Sequence, residues 1–208
     1  DTAIFSTNAV NNSSAKISLS GTGIEVAPVL GNIVWEGVVP DNPLTSSDDP
    51  QPKSLKQIPD VNSDGVADMI CATENYWTIC FNGNSSGAAD TIWKFNSYFG
   101  TNNTGSVDWE DAMQIMDDLN GDGIKEVVVG CGGGNEEVYV LSGGTGKVIW
   151  EYAGPNTNYD GDIMGIRVDR DFNGDGRKDV LISASGEGQT NPGRHSAICL
   201  NAVNGQVL

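Results

Sequence analysis

The sequence predicts an all-β protein made of repeated four-stranded units, and three observations support this prediction. No segment keeps a helical spacing of apolar residues over three turns, whereas short runs rich in Val, Ile and Tyr recur between Gly- and Asn-rich turns. An acidic loop occurs three times. Trp recurs at positions 35, 93 and 150, which are 58 and 57 residues apart. Such a period indicates a repeat protein whose units pack against their neighbours.

Within each unit the order of elements is constant. A first apolar strand leads into the acidic loop, and a second strand follows at once. A Gly-rich turn, a third strand and a Gly- or Asn-containing turn then precede a fourth strand that ends in Trp. Four short antiparallel strands per repeat are typical of a β-propeller blade. We therefore predict a propeller segment over residues 25–208, with blades around residues 53–93, 111–151 and 163–208.

Both ends of the repeat region suggest that further strands belong to it. Residues 33–35 match a fourth strand but follow no acidic loop, and Gly205–Leu208 aligns with Gly146–Ile149, which directly precedes a Trp. Propellers have about four to eight blades, so three repeats do not close a ring. We expect a segment of a longer protein, or blades that are completed by another subunit.

The N-terminal residues 1–24 lie outside the repeat pattern. They contain two short strands separated by the polar turn 11–14. Residues 17–23, which end in Ser-Gly-Thr-Gly, resemble the closing strand of bacterial immunoglobulin-like modules. The segment is interpreted either as the C-terminal strands of such a module or as a hairpin that belongs to the main domain.

Composition excludes some classes of partner. The net charge is −17 with only 11 Lys and Arg residues among 208, which argues against nucleic acid and against anionic lipid surfaces as partners. No apolar run approaches the 18 residues of a membrane span, so membrane insertion is not expected. Nine of the 28 acidic residues lie in the three loops, which indicates bound cations as well as solubility. Polar Asn-, Thr- and Ser-rich turns favour an extracellular or cell-surface location.

The acidic loop has the pattern Asp-φ-Asn-x-Asp-Gly-x-x-Asp/Glu, where φ is apolar, and three apolar residues follow it. Calcium takes six to eight oxygen ligands, and positions 1, 3 and 5 supply them from side chains. Position 7 supplies a backbone carbonyl and position 9 a closing carboxylate, while the absence of His and Cys argues against zinc or copper. The predicted metal ligands are Asp60, Asn62, Asp64, Val66 and Asp68; Asp118, Asn120, Asp122, Ile124 and Glu126; and Asp171, Asn173, Asp175, Arg177 and Asp179.

The position of the loop in the repeat distinguishes between families of calcium loop. An EF-hand needs a Glu at position 12 and flanking helices, but here position 12 lies in a predicted strand. The loop instead resembles the FG-GAP repeat of integrin α-type propellers, with Glu126 in place of Asp and Ser63 in place of Gly as departures. Residues 144–150 resemble pyrroloquinoline-quinone-type propeller repeats. The FG-GAP resemblance implies about three structural Ca²⁺ ions; the alternative for any one loop is a metal-free Asx-rich turn.

The positions of the cysteines, the tryptophans and the single histidine give further predictions. Cys71 and Cys80 are predicted to lie opposite each other across a hairpin, either as a disulfide or as two buried thiols. Cys131 and Cys199 are expected to be free. The recurring tryptophans are expected to pack between blades, and Trp109 to pack at a rim rather than to bind a ligand. No catalytic residues are identified: His195 is isolated, and no Ser-His-Asp order or phosphate-binding Gly loop is present.

These observations lead to a function hypothesis and two alternatives. The main hypothesis is a calcium-stabilised propeller module for adhesion or recognition of a protein or carbohydrate ligand in a secreted or surface protein. An enzymatic alternative is a polysaccharide lyase or quinone-dependent dehydrogenase, for which Arg167, Arg170, Arg177 and Lys178 are the available basic cluster. A further alternative is a structural subunit of a surface filament or layer.

Overall fold

The computed structural model describes residues 2–5, 15–18, 33–45, 50–99, 105–132, 137–153, 161–185 and 195–208. The chain divides into two compact units, Asp1–Asn32 and Ile33–Leu208. In the first unit, β1 (Thr2–Phe5) pairs antiparallel with β2 (Ala15–Ser18). The predicted turn at 11–14 lies outside the described residues, and the choice between a separate module and a hairpin stays open.

The described part of the second unit is built from strands and one short 3₁₀ turn, Glu110–Ala112. The strands are β3 (Trp35–Glu36), β4 (Pro52–Ile58), β5 (Asp68–Thr73), β6 (Trp77–Phe81), β7 (Gly87–Ala88), β8 (Thr91–Asn96), β9 (Met113–Met116), β10 (Glu126–Gly130), β11 (Val138–Leu141), β12 (Val148–Tyr152), β13 (Asp162–Arg167), β14 (Val180–Ser185) and β15 (Ser196–Leu200). The all-β prediction is therefore confirmed. No helix in the described ranges is both long and apolar enough to cross a membrane.

Three antiparallel sheets follow one another along the chain. The first sheet has the order β4-β5-β6-β8, the second β9-β10-β11-β12, and the third β13-β14-β15. In the third sheet an isolated bridge between Leu200 and Val207 lies where the other sheets have their fourth strand. The small strand β3 pairs parallel with β7. Each sheet is thus a meander of sequential strands, as the constant order of elements in the sequence predicts.

Successive sheets pack face to face through two apolar clusters. One cluster joins residues of the first and second sheets and includes Ile70, Val127 and Tyr139. The other joins the second and third sheets and includes Val128 and Ile182. The second sheet is therefore covered on both faces, which explains why residues 127–129 of β10 are all apolar rather than alternating with polar residues.

The recurring tryptophans connect each sheet to the next, as the periodicity predicted. The indole Nε1 of Trp93, in the first sheet, donates to the Gly143 carbonyl of the second sheet at 2.7 Å. Trp150 repeats this contact with the Ala202 carbonyl at 2.8 Å, after the last strand of the third sheet. Both indoles are buried. Trp35 packs against a smaller cluster on the outer face of the first sheet.

The predicted disulfide between Cys71 and Cys80 is absent, and all four cysteines are free. The register pairs Cys80 with Ile70 and Cys71 with Ile79, so the two cysteines are one position out of step. Because side chains alternate between the faces of a strand, this offset places the thiols on opposite faces of the sheet. Cys71 belongs to the outer cluster, whereas Cys80 belongs to the cluster between the first and second sheets.

We expect thiol labelling to reveal four reactive thiols without reductant in the unfolded protein, and mainly Cys199 in the native protein. Cys199 is half-buried, whereas the other three are buried. Burial raises the pKa of Cys71 to about 11 and, together with nearby Asp68, that of Cys80 to about 12, so neither forms a reactive thiolate near neutral pH. Cys199→Ser should remove the fast labelling phase. A count of two thiols in the unfolded protein would contradict the assignment.

Candidate functional site

Each acidic loop joins the first and second strands of its sheet. The loops lie between β4 and β5, between β9 and β10, and between β13 and β14. The Gly at position 6 has a positive φ in every copy, +88°, +84° and +88°. Only glycine adopts this conformation without strain, which explains why position 6 is glycine in all three loops. At position 4, Ser63 takes φ +65° where the other loops have glycine.

The aspartate at position 1 organises each loop by accepting backbone amides. In the second loop, Asp118 Oδ1 accepts from Gly121 N at 2.6 Å, and its Oδ2 accepts from Gly123 N at 2.9 Å. These amides hold the pKa of Asp118 below its usual value because they stabilise the carboxylate. Asp171 lies in the same environment, and the amide of Gly176 is the largest cause of its lowered pKa.

The side chains at positions 3 and 5 form a matching pair of Asx turns. Asn120 Oδ1 accepts the amide of Asp122 at 2.8 Å, and Asp122 Oδ1 accepts the amide of Ile124 at 2.8 Å. The first and third loops repeat both bonds at 2.8 to 3.0 Å. The three loops therefore repeat one turn geometry, in which the side chains at positions 3 and 5 are exposed and the aspartate at position 1 is half-buried.

The acid at position 9 has a different environment, because it is buried. Glu126 is 0% exposed; its Oε1 accepts the amides of Leu119 at 3.1 Å and Asn120 at 3.3 Å. Its Oε2 accepts the amide of Gly143 at 2.9 Å, in the turn between the third and fourth strands. Glu126 thus ties the acidic loop to another turn of the same sheet. Burial raises the pKa of Glu126, and the amide bonds oppose this shift.

The other two sheets repeat this connection with aspartate. Asp68 accepts the amides of Val61 at 2.7 Å and Gly83 at 2.9 Å. Asp179 accepts the amide of Phe172 at 2.8 Å within the loop and that of Ala202 at 3.1 Å after the third strand. The same repeat position therefore carries the same tertiary contact three times.

The residue at position 7 differs between the loops, and its side chain contacts neighbouring structure in the second and third loops. Ile124 packs against the cluster between the first and second sheets. Val66 is 38% exposed. The Arg177 guanidinium donates through Nη1 to the backbone carbonyl of Asp118 at 2.8 Å, so it bridges the third loop to the second.

The structure brings the predicted ligands together within each loop. Their side-chain oxygens accept hydrogen bonds from backbone amides of the same loop. In the described part of the chain, no three His, Cys, Asp or Glu side chains converge as a metal site. Sequence reasoning missed the turn that contacts position 9, which lies 15, 17 and 23 residues after the acid in the three sheets. The recurrence of a Gly- or Asn-containing turn after each third strand was the signal that could have indicated it. It also missed the contact of Arg177 with Asp118, for which the sequence carries no signal.

The candidate residues outside the loops do not form a second site. Trp109 is half-buried and packs against the first cluster, in agreement with rim packing. His195 is exposed, with φ +46°. A surface groove of about 360 Å³ on the third sheet is lined by Met164, Arg167 and Leu181, among others. In this groove Arg167 is already paired with Asp111 at 3.1 Å.

The fold and the loops define an all-β repeat protein whose sheets each carry one acidic hairpin loop. Residues 118–182 match the family model described as an FG-GAP-like repeat. The match begins at the first residue of the second loop and ends within β14, so it includes the second and third loops. It supports the FG-GAP resemblance for this part of the chain. None of the curated proteins matches the chain.

Proposed function

We propose that this chain is a calcium-stabilised β-propeller segment for adhesion or recognition in an extracellular or cell-surface protein. The observation that carries the proposal is the threefold repetition of one loop geometry. Each loop has an Asp-Asn-Asp set, half-buried at position 1 and exposed at positions 3 and 5, and a buried acid that ties the loop to its sheet. The FG-GAP-like match over residues 118–182 and the face-to-face packing of successive sheets support the same proposal.

The donors of each loop fit a hard divalent cation. Two carboxylates and one amide oxygen lie within five residues, and hard cations such as Ca²⁺ prefer such ligands. A carboxylate oxygen that accepts one amide keeps a lone pair for a cation, so the hydrogen bonds seen here do not exhaust the ligands. In the second loop, Asp118, Asn120, Asp122, the Ile124 carbonyl and the Glu126 carboxylate are the proposed ligands, and Glu126 also holds the loop through its amide bonds. The ion would neutralise the carboxylates of the loop.

Calcium binding is the decisive test. We expect about three Ca²⁺ ions per chain by native mass spectrometry and a higher melting temperature in calcium than in chelator. A ligand at 100 times its Kd stabilises the folded state by about 2.7 kcal/mol per site, so the shift should be several degrees. Asp64→Asn, Asp122→Asn and Asp175→Asn should each remove one ion. A melting temperature that does not change with calcium would contradict the proposal.

The propeller and recognition parts of the proposal need separate tests. Electron microscopy of the native protein, together with any further blades that its own chain or a second subunit supplies, should show a ring of sheets around a central axis. An open stack of four or more sheets would contradict the propeller. Binding to protein or glycan arrays, compared with the triple variant of the three position-5 aspartates, should show calcium-dependent capture. If the triple variant loses capture but keeps the ring, the calcium loops are needed for recognition and not for the fold.

The structure favours this proposal over the lyase alternative. Two of the four residues of the predicted basic cluster are engaged in other contacts: Arg177 bonds to the Asp118 carbonyl, and Arg167 pairs with Asp111. The contacts of these residues therefore support a structural use of the basic side chains.

A further inference from the structure

The contact of Arg177 is unusual because its two residues, which are 59 positions apart in sequence, belong to two different acidic loops. Its guanidinium lies 2.8 Å from the carbonyl oxygen of Asp118, the first residue of the second loop. Arg177 is half-buried, so the bond is partly shielded from competing water. A charge-assisted hydrogen bond in such a place is stronger than one between neutral groups.

Both ends of this bond belong to the cores of their loops. On the third loop, the backbone amide of Arg177 donates to Asp175 Oδ1 at 2.9 Å, and its carbonyl is a predicted ligand. On the second loop, Asp118 holds the amides of Gly121 and Gly123 through its carboxylate. A conformational change in the third loop therefore acts on Asp118, the first residue of the second loop. A change in the second loop acts in the same way on Arg177, the seventh residue of the third loop.

We propose that Arg177 is a positioning residue that couples the second and third loops, so that ordering of one loop orders the other. In the absence of cation, the bond restrains Asp118 and with it the turn that ends at Gly123. When a cation occupies the third loop, it fixes the Arg177 backbone and therefore the Cα atom from which the side chain extends. The second loop then binds its own cation more tightly, and this cation-dependent part rests on the proposed calcium function. Linkage requires the effect to be reciprocal.

The adjacent residue provides a matched control. Lys178 carries the same charge at the next position and is exposed. Arg177→Gln and Lys178→Gln remove one positive charge each from the same loop, but only the first removes the bond to Asp118. A difference between the two variants therefore reports the bond rather than the general electrostatic field.

Hydrogen exchange of residues 118–126, measured by mass spectrometry, tests the coupling in two arms. In chelator, Arg177→Gln should speed exchange of this segment roughly threefold to tenfold, the range expected for one hydrogen bond, whereas Lys178→Gln should not. In calcium, Asp175→Asn, which weakens the third site, should lower the calcium affinity of residues 118–126 by about fivefold or more. In the Arg177→Gln background this effect of Asp175→Asn should disappear.

Each arm can overturn the inference on its own terms. If Arg177→Gln and Lys178→Gln give equal exchange in chelator, Arg177 does not order the second loop. If Asp175→Asn leaves the calcium affinity of residues 118–126 unchanged in the parent protein, the loops are not coupled. If calcium protects none of the three loops, the proposed function fails and the cation-dependent coupling fails with it, while the chelator arm still decides whether the bond orders the second loop.

Discussion

Replacement of Glu126 by Ala is expected to destabilise the second unit by about 3–5 kcal/mol. The side chain is 0% exposed and accepts three backbone amides, of which the bond from Gly143 is buried and those from Leu119 and Asn120 are partly buried. The variant would leave these amides without their acceptor. Each unsatisfied buried donor costs about 1–3 kcal/mol, although relaxation and entering water recover part of the sum. For a unit of this size the melting temperature should fall by about 10 °C.

Two further variants make this measurement specific. Glu126→Gln keeps the shape and one acceptor oxygen but presents an NH₂ group to a donor, so we expect an intermediate loss. Since burial raises the pKa of Glu126, removing its charge alone should cost less than removing the acceptors. Glu151→Ala, at an exposed position of β12, should change the melting temperature by less than 2 °C. Equal melting temperatures for Glu126→Ala and Glu151→Ala would contradict the role assigned to Glu126.

Gly146→Ala is expected to destabilise the protein by about 3 kcal/mol, for two reasons that add. Gly146 has φ +69°, where a residue with a Cβ costs about 1–2 kcal/mol. Its Cβ would also lie 2.5 Å from Cε3 of Trp93, which is far inside van der Waals contact. The indole would have to move, and its bond to the Gly143 carbonyl would lengthen or break. Overpacking of this kind costs about 1–3 kcal/mol.

Gly87→Ala separates the two contributions. Gly87 has φ +78°, but its Cβ would meet nothing within 4 Å. This variant should therefore lose only the conformational part, about 1 kcal/mol. Urea unfolding of the three proteins, followed by tryptophan fluorescence, measures the difference. Equal losses for Gly87→Ala and Gly146→Ala would show that Trp93 tolerates the added methyl group and that the contact between sheets is loose.

Much of the fold could be predicted because the same pattern of strands and loops occurs three times along the chain. The apolar runs of β10 and β14, the loop between strands and the period of Trp all follow from patterns along the chain. The register did not follow in the same way. Cys71 and Cys80 were placed opposite each other, yet a shift of one residue puts them on different faces. Register depends on pairing between strands, which a single strand pattern does not specify.

The sequence predicts which residues form the candidate site, but it does not predict all of their contacts. The spacing of Asp118, Asn120 and Asp122 already indicates a turn with converging oxygens, and the structure brings these residues into one loop. The burial of Glu126 was not foreseen, because its partner Gly143 lies 17 residues away. The bond from Arg177 to Asp118 depends on how two sheets are placed side by side, so it required three-dimensional information.

The tryptophan contacts give the array of sheets a polarity. In each contact the donor is the indole at the end of one sheet, and the acceptor is a turn carbonyl of the following sheet. A glycine of the same turn lies against the indole ring. The second sheet carries both parts, since its Gly143 carbonyl accepts from Trp93 and its own Trp150 donates to the Ala202 carbonyl. The two contacts therefore run in the same direction along the chain. A duplicated second sheet inserted at either junction would reproduce this hydrogen bond, while the remaining apolar contacts would have to adapt.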